Sequence, residues 1–101
     1  MTVVNGLEEA RAALAAGALA LASPPFAACH AGVGYYEALL LQLRAEFPES
    51  DFVFTLDCGD DAAIAHEAIR RGFTSVRCQC SEAVKARLEA LVATASMGGR
   101  P

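Results

Sequence analysis

The sequence predicts an α/β fold, a small three-stranded parallel sheet flanked by about four helices in the order α-β-α-β-α-β-α. Three observations predict it. Short apolar runs at residues 18–23, 51–58 and 73–80 alternate with longer segments of helical periodicity. Those segments are long enough to be crossovers, which parallel neighbours need in place of a hairpin. Glycine or proline stands at the junctions, as Gly17, Pro24, Pro25, Pro48 and Gly72. The 101 residues have the size of one domain, 1–101, with 1–4 and 97–101 expected as flexible tails.

Residues 1–4 read either as a stub of strand or as a frayed end. Asn5, followed three residues later by Glu8, is a helix-start pattern, so a helix is expected over about Leu7–Ala16, with Gly17 as its stop. Ala18–Ser23 sets Leu19 and Leu21 between alanines and ends at Pro24-Pro25. That punctuation makes it a short strand, although Ala and Leu intrinsically prefer helix. From about Gly34 to Phe47 the apolar positions Tyr36, Leu39, Leu40, Leu43 and Phe47 recur at helical spacing, and Leu41 widens the stripe. A helix so apolar is expected to be covered both by the sheet and by a second surface. Asp51–Cys58 carries Phe52-Val53-Phe54-Thr55-Leu56, the pattern of a strand covered on both faces.

Asp60–Arg71 reads as a helix with Ile64, Ala65, Ala68 and Ile69 inside, Glu67 and Arg71 paired outside, His66 in solvent and Gly72 as stop. Phe73–Cys80 alternates like a half-exposed edge strand. Ser81 caps a last helix whose stripe is Val84, Leu88, Leu91, Val92 and Ala95. Sequential strand order would set the crossover helices on one face, like a piece of a (β/α) barrel. A central alanine-rich strand would set them on opposite faces, in a flavodoxin-like sheet. Either arrangement leaves apolar surface uncovered, so a homodimer is expected.

Eight basic and twelve acidic side chains give a net charge of −4, and the Lys and Arg residues are scattered. A nucleic-acid partner is therefore not expected, because phosphate-backbone affinity comes from clustered cations. Ala12–Ala22 is free of charge but shorter than the roughly 20 residues that span a bilayer, and Glu8 and Glu9 precede it where a leader would carry cations. No membrane partner is expected, and the location is read as cytoplasmic. Cys29, Cys58, Cys78 and Cys80 are then reduced thiols.

Parallel sheets gather ligands at the carboxyl ends of their strands. The candidate ligand-binding residues there are Ser23, Cys29, His30, Gly32, Gly34, Asp57, Cys58 and Cys80. Gly32-Val33-Gly34 ahead of a helix offers backbone amides to an anion, although the third glycine of a dinucleotide fingerprint and the lysine of a P-loop are both missing. Asp57, Asp60 and Asp61 crowd one helix start, where carboxylates cap free amides, and Asp57 at the tip of a strand is also a candidate base. The cysteines lack C-x₂-C spacing, so neither a metal nor another cofactor is expected.

These residues suit a small, dimeric, non-enzymatic α/β module that binds a small polar ligand, or a protein partner, at the strand ends. The alternative is a thiol- or metal-dependent enzyme that uses Cys29 or Cys58 with His30.

Overall fold

A computed structural model of the chain describes residues 1–97. In chain order its elements are β1 (Thr2–Val3), α1 (Leu7–Ala15), β2 (Ala20–Ala22), α2 (Ala27–Ala31), α3 (Val33–Glu46), β3 (Val53–Asp57), α4 (Ala62–Arg70), β4 (Ser75–Arg77) and α5 (Glu82–Met97). The α/β class and the parallel sheet are as the sequence predicts. Among the described residues, however, there are four strands rather than three and five helices rather than about four. The extra strand is β1, which lies beside β2 with Thr2 opposite Leu21 and Val3 opposite Ala22. The extra helix is the single turn and a half of α2, inside the segment expected to be loop. Of the tail expected from residue 97 onward, Met97 closes α5 and the rest lies outside the described residues.

The strands run in the order β1-β2-β3-β4, every neighbour parallel. This is the sequential order of a barrel segment, and it decides against the flavodoxin-like arrangement. Side chains alternate across a sheet, so the register sorts them into two faces. Leu21, Phe54 and Leu56 face the helices and are buried, with Val76 partly buried beside them. Leu14 of α1, Leu39, Leu40 and Leu43 of α3, Ala65, Ala68 and Ile69 of α4, and Leu88 of α5 close over them, with Phe73 among the most deeply buried side chains. Each large side chain buried in that layer contributes roughly 1.5–3 kcal/mol.

The other face is open. It carries Val3, Ala20, Ala22, Val53, Thr55, Ser75, Asp57 and Arg77, with Val3 56% and Val53 45% exposed. The expectation that β3 is covered on both faces is thus corrected. Its hydrophobic run is continuous because Val53 and Thr55 are β-branched, not because both faces meet helices. Besides the sheet, α3 meets α1, α2 and α4, while its Tyr35 and Leu41 stand exposed.

Local signals set the helix ends. Gly17 and Gly72, with φ of 97° and 109°, turn the chain out of α1 and α4 in the left-handed region that glycine tolerates. At the start of α1 the capping differs from the expected pairing. Gly6 occupies the N-cap, and Glu9, not Glu8, accepts from the Asn5 backbone N–H at 2.9 Å. No helix of the described residues is long and apolar enough to cross a membrane.

Candidate functional site

The four strands point their carboxyl ends the same way, and the loops that leave β2 and β3 are knotted together there. Ser23 Oγ accepts the backbone N–H of Asp57 at 2.9 Å. Asp57 Oδ1 in turn accepts the N–H groups of Phe26 and Gly59, both at 2.9 Å. A short carboxylate accepting from its own chain two residues on is an Asx turn, and here the same oxygen also fixes the neighbouring loop. Phe26 holds a left-handed backbone, φ 60°, and its ring packs against Gly59. The ring lies parallel to His30 at a centroid distance of 6.4 Å, with His30 itself exposed.

Cys29 Sγ donates to the carbonyl of Cys58 at 3.3 Å. Ser23, Cys29, Asp57 and Cys58 therefore belong to one contact group. Gly32 and Gly34 are placed differently: Gly32 is half-buried with φ 94°, and the nearest neighbour of the exposed Gly34 across the fold is Arg71 Nη1. Arg71 is already bound to Glu37 and Glu67, each at 2.8 Å. Cys80 lies beyond β4, half-buried, its thiol near the Cys78 carbonyl.

Cys29, Cys58 and Cys78 are poor nucleophiles by environment. Burial pushes the Cys58 thiol up to about 12, and neighbouring thiols and Asp57 add to the shift. Cys78 is pushed up to about 11, first by burial and then by Cys80. Cys29 is raised by desolvation and by Asp61, Asp60 and Asp57. A raised pKa keeps each thiol protonated at neutral pH, where the thiolate is the reactive form. All four cysteines are free. Among the described residues no group of three or more His, Cys, Asp or Glu side chains could hold a metal ion.

The acidic helix start resolves into separate tasks. Asp61 caps α4, its Oδ1 accepting the N–H groups of Ala63 and Ile64 at 3.0 and 3.1 Å. Asp57 ties the loops, and Asp60 is exposed. What remains available for a ligand lies on the open face of the sheet, just below the rim. Asp57 and Arg77 are register partners on adjacent strands, with no ion pair between them, and Asp57 Oδ2 has no hydrogen-bond partner among the described residues. One step down the strands the hydroxyls of Thr55 and Ser75 bond to each other at 2.8 Å.

Thr55, Ser75 and Arg77 are not among the residues singled out from the sequence. The signal that could have found them is the alternation within β3 and β4, once β3 is taken as covered on one face only. Comparison with protein-family models, with curated proteins and with solved structures gave no match.

Proposed function

We propose that the chain is a self-associating, non-enzymatic α/β module that holds a small polar ligand at the carboxyl ends of its strands. One observation carries the reading. On the open face the side chains change from apolar, at Ala20 and Val53 in the lowest row and at Val3 and Ala22 toward the β1 edge, to polar on β3 and β4, where Asp57 and Arg77 stand side by side at the rim above the Thr55–Ser75 hydroxyl pair. A carboxylate and a guanidinium not spent on each other suit a small molecule carrying both charges, and an apolar floor with a few convergent polar groups is how small-ligand sites are built. Arg77 presents a planar fork suited to a ligand carboxylate or phosphate. The free thiols fit a reducing, cytoplasmic setting. The raised thiol pKa values weigh against the thiol-enzyme alternative.

Thermal-shift screening against a panel of zwitterionic, anionic and cationic metabolites tests this. A ligand present at 100 times its Kd adds ~2.7 kcal/mol to folding stability. The expected hit is a zwitterion whose shift disappears in Arg77→Ala and in Asp57→Asn, the latter keeping an oxygen for the Phe26 and Gly59 amides. A panel with no response, or a shift indifferent to both variants, defeats the reading. In that case assembly, or a protein partner at the rim, remains as the role.

A further inference from the structure

We propose that a second copy of this chain covers the open sheet face and both free sheet edges, so that two four-stranded sheets close into one eight-stranded parallel barrel. The inference rests on the self-association within the reading above and specifies its geometry. Sequential order puts β1 and β4 at opposite edges with all helices on one face. A parallel sheet so arranged is half of what eight strands close into, and a barrel interior is filled by alternate side chains rather than left open.

The open face has the composition of such an interior. It is small and β-branched at Val3, Ala20, Ala22, Val53 and Thr55, and charged only at the carboxyl ends of β3 and β4, at Asp57 and Arg77, where barrel sites lie. Two of the exposed large hydrophobic side chains, Val3 and Val53, belong to this face. The edges are ready for partners. The N–H of Val4 bonds to Ala22 and that of Cys58 to Arg77, so by alternation the backbone groups of Val3 and of Val76 point outward at the two edges.

Beside β4 lies a groove of about 540 Å³ whose walls include Ser75, Val76, Arg77, Lys85, Leu88 and Val92. It runs along β4 beside α5, and Thr55 and Met1 also reach it. Charge favours the β1 edge of a second copy as its occupant. Two cations, Arg77 and Lys85, outnumber the one acid, Glu89, on the groove walls, with Glu82 3.9 Å from Lys85, whereas α1 begins with Glu8 and Glu9. The one cation of α1, Arg11, reaches across to Glu46 on α3 at 2.6 Å. Both helices start at the carboxyl end of the sheet, so Glu9 and Lys85 stand at similar heights. A two-fold axis makes this junction twice, since such an interface uses the same surfaces on both copies.

Sedimentation equilibrium tests the proposal with two surface variants, Glu9→Lys and Lys85→Glu. Each alone sets like charges together at both junctions and is expected to weaken the dimer about tenfold. An equimolar mixture restores attraction at both junctions and should return to within about twofold of the unaltered dimer. Val53→Asp, on the central strand β3 at the amino end of the open face, should give a monomer whose far-ultraviolet dichroism is unchanged. A dimer that ignores all three substitutions overturns the barrel while leaving self-association and the ligand reading in place. A monomer at every concentration overturns both the barrel and the self-association, and the metabolite screen then judges ligand binding separately.

Discussion

Asp57 shows how one side chain can do two jobs at the rim. Its Oδ1 ties the loop after β2 to the loop after β3, and its second oxygen is the one proposed to meet a ligand. The carboxylate at a strand tip is conspicuous in the sequence, but its main partner, the Phe26 amide, is 31 residues away. No local pattern reports a bond of that range. Gly59 is the residue that makes the knot possible. It has φ 61°, and a β-carbon there would run into the Phe26 ring, with Cys29 Sγ at 3.3 Å. Gly59→Ala therefore meets two penalties, a left-handed backbone worth about 1–2 kcal/mol and an overpacking cost of about 1–3 kcal/mol. Urea unfolding should show a loss of at least about 2 kcal/mol with the slope unchanged. A loss below about 0.5 kcal/mol would mean that the ring moves aside freely and that the knot is loose.

At the level of elements, legibility follows the length over which a pattern repeats. α3 and α5 were plain in the sequence because their apolar positions return over several turns, and β3 because a β-branched and aromatic run tolerates little else. β1 was ambiguous because two residues carry no periodicity, and only its pairing with Leu21 and Ala22 makes it a strand. α2 was hidden because its entry depends on the left-handed backbone of Phe26, which no residue preference foretells. Which face of β3 stays bare could not be read either, since coverage is decided by strand order and not by the strand's own residues. Helix starts were clearer. Three aspartates crowd the start of α4, yet only Asp61 reaches the amides of Ala63 and Ile64. Asp61→Ala should lower stability by about 1 kcal/mol, while Asp60→Ala should change it by less than about 0.5 kcal/mol. Calorimetric melting of the two variants at neutral pH decides this, and equal losses would show that the stabilisation is dipolar rather than a specific cap.

For the molecule as a whole, the helical layer is held at one end by a charge tie that the sequence did not announce. Glu46 at the end of α3 accepts from Arg11 of α1 at 2.6 and 2.8 Å and from Gln42 at 2.6 Å. The Arg11 hydrogen bonds, then Gln42, lower its carboxyl pKa from 4.5 to about 2. A carboxyl lowered in the folded state binds its proton more readily once unfolded, so this tie stabilises the fold fully above about pH 4.5. Its contribution is lost as the pH falls from there toward 2, where Glu46 itself becomes protonated. α1 also bears the acidic residues proposed to meet a second copy, so the same tie fixes the orientation of that edge. Thermal midpoints of the unaltered chain and of Arg11→Ala, measured from pH 7 down to pH 2, should differ by a constant amount to about pH 4.5 and converge near pH 2. Because both groups are partly in water, the gap should be small and should shrink further in 1 M salt, where the Debye length is about 3 Å. A gap that persists unchanged at pH 2 would assign the effect of Arg11 to the packing of its aliphatic stem between α1 and α3 rather than to its charge.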